Sequence, residues 1–162
     1  MVPSLDDHTR RLSLGAALLF LLGALTGIPL ALAQTGVLTG DAHTVLGAHM
    51  NAILGCFLLL GVSYTLRLTR LGQRGLSALV LFTLIPTYAN WLVTLVKAFL
   101  HVRGVSFTGE PANDGVAVAL NVLVVFPTLA GAALWCWGLR GGAQAVPVGV
   151  PSGSGTPSRR AT

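Results

Sequence analysis

The 162-residue chain is 53% hydrophobic and only 9% charged, with a mean hydropathy of +0.76, against roughly 25% charged residues in an average soluble domain. This excludes a water-soluble enzyme and describes one integral membrane domain. The net charge of +5 does not point to nucleic acid, because Lys and Arg stand singly or in short clusters at the ends of apolar runs, as membrane anchors do.

Polar residues through Arg11 lead into the first apolar run, Leu12 to Ala33. Basic residues, an apolar stretch and Ala31-Leu32-Ala33 also describe a cleaved signal. The run is longer than such segments and close to the roughly 20 residues that cross a bilayer, so it is read as the first span, with Pro29 kinking its far end. A short loop without Lys or Arg returns the chain into a second span over 42–66, which holds His49 and Asn51. Arg67, Arg70 and Arg74 crowd the next turn before a third span over 76–101. The loop VSFTGEPAND precedes a fourth span over 116–139, interrupted only by Pro127. Residues 141–162 are rich in Gly, Pro and Ser and are expected to be disordered. Cys56 and Cys136 lie inside apolar runs and are read as packing thiols. Trp135 and Trp137, near Arg140, have the look of aromatic-belt anchors.

The fold expected is therefore all-α, an integral membrane four-helix bundle. Arg10 and Arg11, the Arg67–Arg74 turn, and Arg140, Arg159 and Arg160 all fall on one side, with Arg103 and Lys97 on the other. The positive-inside rule then gives a multi-pass protein of the cell membrane with both termini cytoplasmic.

The third span carries a polar seam. Thr87, Asn90, Thr94, Lys97 and His101 follow one another at alternating spacings of three and four, so a helix places them on one face, leaving Trp91, Leu92, Leu95 and Phe99 opposite. Polar groups in a span face a protein interior, a cavity or a neighbouring subunit. Asn90, Thr94 and Lys97 are the candidate catalytic residues. Asn90 can donate to a developing oxyanion or act as glue between helices, and Lys97 can pair with Asp114 or snorkel to the surface. With about 1.5 Å of rise per residue, His49, Lys97 and Asn121 lie at similar depths in the half away from the termini. His49 is the candidate metal ligand: a neutral imidazole in a dry helical setting is a good axial ligand to haem iron, and also a good partner for a neighbouring helix. Asn51 lies about 200° around the helix from His49, so the two can line one pocket only across a subunit interface.

The segments LLFLLGALTG, GAHMNAILG, TYANWLVTLVKAFLHV and TGEPAND, the last leading into ALNVLVVFPTLAGAALWCWGLRG, resemble the hydroxylaminobenzene mutase family over most of residues 12–141. The likeness to styrene oxide isomerase is sparser, through Ala48-His49, Ala89-Asn90 and Arg103-Gly104. The resemblance implies a four-helix membrane isomerase acting on a small aromatic substrate. Such a mutase converts hydroxylaminobenzene to 2-aminophenol in nitroarene degradation. It further implies a homo-oligomer, a trimer by analogy, with haem b on His49 and Asn51 as a second cofactor-site residue. Ferric haem would serve as a Lewis acid toward the hydroxylamino oxygen, leaving Asn90 to orient the substrate. Where styrene oxide isomerase has Tyr, Asp and Asn, this chain has Thr94, Pro86 and Gly55, which favours the mutase over epoxide-to-aldehyde isomerisation. A non-catalytic membrane cytochrome is the alternative from another class; it would need a second axial histidine, for which His101 is the candidate. A small transporter is the third, although the halves show no inverted repeat.

Overall fold

Ser4 starts the first helix ahead of its apolar run. Its hydroxyl accepts from the Asp7 N–H at 3.1 Å, while the Asp7 carboxylate accepts from the Ser4 N–H at 2.8 Å, a reciprocal cap that satisfies two free amides. The computed structural model describes residues 4–140, and the tail expected to be disordered lies outside them. Helix α1 covers Leu5–Gln34, α2 Ala42–Thr65 and α3 Gln73–Leu100; α4 (Pro111–Leu120) and α5 (Phe126–Leu139) are joined by a π turn over Asn121–Val125. All are helical, and α1, α2 with the 3₁₀ turn that follows it, α3 and the continuous Pro111–Leu139 segment are each long and apolar enough to cross a membrane. The protein is a four-helix membrane bundle.

Three helices begin earlier than their apolar runs. α1 and α3 gain a polar first turn, and α4 starts at Pro111, where the missing N–H is no loss in the first turn. Helix α1 continues through Pro29 to Gln34. Pro127 has no N–H for the carbonyl one turn behind it, and the backbone widens just ahead of it: the Phe126 N–H reaches back five residues to the Asn121 carbonyl.

Burial on α1 follows a stripe of His8, Leu12, Gly15, Ala16, Leu19, Gly23 and Thr26, the three-and-four spacing of one helix face. This stripe packs on α2, α2 packs on α3, and the fourth span packs on α3. The core lies among α1, α2 and α3, around Leu12, Leu19, Leu59, Val62 and Leu79. Lipid tails are as apolar as leucine, so close fit rather than exclusion of water holds such helices together. A Cβ on Gly23 would stand 2.9 Å from the Ala52 Cβ. Side-chain bonds link helices as well: the Tyr88 hydroxyl donates to the Gly15 carbonyl at 2.7 Å, and the Trp91 indole donates to Thr26 Oγ1 at 3.0 Å. Trp91, opposite the seam, is thus tied to α1. Trp135, expected as a belt anchor, donates to Thr65 Oγ1 of α2 at 3.1 Å, whereas Trp137 is exposed.

Pro86 inside α3 leaves the Phe82 carbonyl without its usual donor, and Gly131 of α5 packs directly on it: a Cβ there would lie 2.8 Å from the Phe82 oxygen. Backbone oxygen cannot swing away as a side chain can. Gly131→Ala should lower stability by about 1–3 kcal/mol, read as an earlier thermal transition in detergent, while an alanine at the open Gly61 should not.

Asp41 caps α2, accepting from the His43 N–H at 3.2 Å and from the Thr44 hydroxyl. The Thr44 bond holds its carboxyl below the usual carboxylate range. The stability this contributes is fully present above the unfolded value of about 3.9 and is lost as pH falls through the lowered folded value. Asp41→Asn, which keeps a cap without the titration, should show a smaller fall in Tm than the parent between pH 6 and pH 3.

Candidate functional site

His49 stands on α2 against a stretch of α1 made of small residues. Gly23 and Gly27, one turn apart, leave room for the ring, and a Cβ on Gly27 would lie 3.9 Å from its Cε1. Nδ1 is 2.7 Å from the Gly23 carbonyl oxygen. A carbonyl can only accept, so Nδ1 carries the proton and the neutral ring presents a bare lone pair on Nε2. Among the described residues Nε2 has no hydrogen-bond partner. Fixing one ring nitrogen on a backbone carbonyl is how proteins orient a ligating histidine and set its tautomer. The ring is half-buried, beside the exposed Leu46 and Met50, so the free edge lies toward the rim of the α1–α2 pair.

Asn51 turns the other way, into α3. Its Nδ2 donates to Thr94 Oγ1 at 3.1 Å, and the Thr94 hydroxyl makes a long bond to Asn90 Oδ1 at 3.5 Å. Thr94 is buried between them. The relay has a direction: with its oxygen accepting from Thr94, the Asn90 amide keeps its N–H₂ free to donate. Asn90 and Asn51 line one groove of about 250 Å³ with Leu54, Gly55, Pro86 and Thr87, across from Val124 and Thr128 of the fourth span. The walls are apolar apart from the two amides and the threonines, as in sites that orient an apolar ligand by a few polar contacts. A Cβ on Gly55 would meet Leu19 Cδ2 at 2.9 Å and Thr87 Cβ at 3.4 Å, so the space a larger side chain would need is already filled.

The seam divides. Thr87 turns its hydroxyl back onto the Thr83 and Leu84 carbonyls at 2.8 and 2.9 Å. Lys97 lines a separate cavity with Asp41, Thr44 and Arg103. It does not meet Asp114, whose carboxylate accepts from the Thr108 and Gly109 amides at 2.8 and 3.1 Å. His101 leaves the seam altogether, because α3 ends at Leu100 and His101 takes a left-handed backbone at φ 54°. Asn121 does not join the site, since its amide donates to the Ala117 carbonyl of its own helix at 2.8 Å.

Three features were not anticipated from the sequence. Asn113 is buried and clamps the loop before α4, accepting from the Gly104 N–H at 2.8 Å and donating to the Ser106 carbonyl at 2.7 Å; with Asp114 it gives a structural reason for the Asn-Asp pair in TGEPAND. Tyr88 ties α3 to α1. His8, in the polar leading segment, is buried against α3, with Nε2 3.0 Å from Gln73 Nε2.

Residues 8–140 match the family model described as styrene oxide isomerase. The hydroxylaminobenzene mutase HabB of Ectopseudomonas oleovorans is 31% identical over 147 residues, covering 85% of each chain. No solved structure matches.

Proposed function

Because the chain belongs to the styrene oxide isomerase family and is an isomerase by that membership, we propose that it rearranges an aryl hydroxylamine, hydroxylaminobenzene in the simplest case, to the 2-aminophenol. The preference for the mutase reaction rests on similarity to a mutase over most of the chain. In this rearrangement the N–O bond breaks and a C–O bond forms at the ortho carbon. The proton leaving that carbon balances the one taken up by nitrogen, so no oxidant or reductant is consumed.

The observation that carries the assignment of the cofactor is the His49 tautomer. An imidazole with Nδ1–H on the Gly23 carbonyl and a bare Nε2 is the side chain that would hold the iron of a haem b. Among the described residues no group of three His, Cys, Asp or Glu is placed to hold a free ion, whereas a haem needs only one protein ligand. When bound, the ferric group supplies Lewis acidity toward the substrate oxygen. The chain's own residues do the rest. Asn90 donates its free N–H₂ to the oxygen that leaves nitrogen, where charge develops in a dry site. Thr94 and Asn51 fix the amide's orientation, and the apolar groove walls hold the ring and keep bulk water from the migrating oxygen.

His49 and Asn51 face different helices, so one chain alone cannot bring the histidine's free edge and the Asn90 groove together. We infer a homo-oligomer, a trimer by analogy, in which the α1–α2 rim of one protomer meets the groove of the next. That is a heterologous contact, of the kind that closes into a ring. The termini are assigned to the cytoplasm of the cell-membrane protein by the arginines at that end. A membrane cytochrome would require a second axial histidine: His43 is exposed on the first turn of α2, His8 stands in the first turns of α1 and is buried against Gln73 of α3, and His101 lies beyond the end of α3, so none pairs with His49 within a chain.

The test is turnover. Detergent-purified protein, expressed with haem supplied, should convert hydroxylaminobenzene to 2-aminophenol much faster than it opens styrene oxide to the aldehyde. The reverse preference would assign epoxide isomerisation instead.

A further inference from the structure

Among the described residues, Arg10, Arg11, Arg67, Arg70, Arg74 and Arg140 stand toward the end of the bundle that carries the termini, and Lys97 and Arg103 are the Lys and Arg residues at the other. These two converge. Together with His101 they line one cavity of about 460 Å³, completed by Asp41, Thr44, Val102 and Val105.

The segment that carries them is held in place. Lys97 belongs to the last turn of α3, and the Val102 N–H returns to its carbonyl at 3.4 Å. His101 is the one non-glycine residue with positive φ among the described residues, in a helix-end position that glycine ordinarily takes. Beyond Arg103, the Gly104 N–H is held by the buried Asn113 at 2.8 Å. A Cβ on Gly104, at φ 62°, would stand 2.2 Å from Val116 Cγ1. The three basic side chains are thus presented from a short stretch fixed at both ends.

Asp41 sets one negative charge in the lining against the two positive charges of Lys97 and Arg103, which leaves the cavity net positive. The Asp41 carboxylate is committed to the His43 N–H and the Thr44 hydroxyl, and Lys97, His101 and Arg103 make no ion pair with a carboxylate among the described residues. Lys97 lies about one helical turn inside the end of a membrane-crossing helix. That is the level of lipid headgroups, to which long cationic side chains reach from a helix end.

We propose that this cavity binds the phosphate of an anionic phospholipid headgroup. Arg103 offers the planar fork that matches phosphate oxygens, Lys97 a compact charge and His101 a ring N–H. Val102 and the exposed Val105 give the glycerol end an apolar contact that a free anion would not use. The site requires nothing of the reaction in the Asn90 groove.

The test is titration of full-length protein, stripped of lipid in detergent, with short-chain phosphatidylglycerol, short-chain phosphatidylcholine and inorganic phosphate, followed by calorimetry. Phosphatidylglycerol should bind at least tenfold more tightly than phosphatidylcholine. Combining Arg103→Gln with His101→Asn, the latter chosen because Asn tolerates positive φ, should weaken phosphatidylglycerol binding at least tenfold, and Arg103→Lys should weaken it less. Helicity and elution volume report whether the pair folds; should it not, Arg103→Gln alone carries the comparison. Inorganic phosphate binding as tightly as phosphatidylglycerol would overturn the lipid assignment. Equal binding of both lipids, or binding untouched by these substitutions, would overturn the site.

Discussion

Replacing His49 with alanine is expected to abolish both the Soret band of the purified protein and its isomerase activity. The effect rests on one bond. The Gly23 carbonyl takes the Nδ1 proton at 2.7 Å, so the neutral ring has a lone pair only on Nε2, and alanine removes that donor while leaving α1 and α2 free to pack. The pocket was already built for a ring beside two glycines, so the loss creates space without forcing a clash. A second variant separates ligation from packing. Gly27→Leu places a branched side chain where a Cβ would already lie 3.9 Å from the ring, and should perturb the position of the band without erasing it. A His49→Ala protein that keeps the band in full would place the iron elsewhere.

The second large effect is at Asn90. Asn90→Ala should reduce kcat by about 10²- to 10³-fold, the range seen when one preorganised donor to a developing oxyanion is removed, with little change in KM because the apolar walls still hold the ring. Thr94→Val tests the relay. It preserves shape but leaves the Asn90 carbonyl oxygen without the Thr94 hydroxyl, so the amide can turn and present its oxygen to the substrate. Misplacement of a catalytic group by about 1 Å is worth on the order of 10²-fold, and Thr94→Val should fall in kcat between the parent and Asn90→Ala. Thr94→Ser, which keeps the hydroxyl, should recover most of the activity. A Thr94→Val enzyme with parental kcat would dissociate Asn90 orientation from the Asn51–Thr94 pair.

The four crossings were legible because roughly 20 apolar residues in a row have few alternatives to a membrane helix, and the helix beginnings were not, because Ser4, Gly72 and Pro111 set them in polar sequence outside those runs. The seam on the third helix was legible as a periodicity but not as a single surface. Helix α3 has three neighbours: it shows Thr87 and Thr94 toward α2, Tyr88 and Trp91 toward α1, and Phe82 toward Gly131 of α5. Periodicity divides a helix into polar and apolar sides, whereas three neighbours also give the apolar side polar partners, as Trp91 finds in Thr26 of α1. Asn121 shows the converse. Its depth suits the site, but it turns to the carbonyl of Ala117 on its own helix, a choice depth cannot reveal. The opposite facing of His49 and Asn51 follows directly from the helical repeat, and it is this feature that makes the proposed site depend on a second protomer.

The most direct measurement is the fate of the hydroxyl oxygen. Hydroxylaminobenzene labelled with ¹⁸O, incubated with the haem-supplied protein in unlabelled water, should give 2-aminophenol that retains the label, because the oxygen moves within one molecule. Product carrying oxygen from the solvent would contradict an intramolecular mutase, and substrate returned unchanged would contradict the assignment of this substrate class.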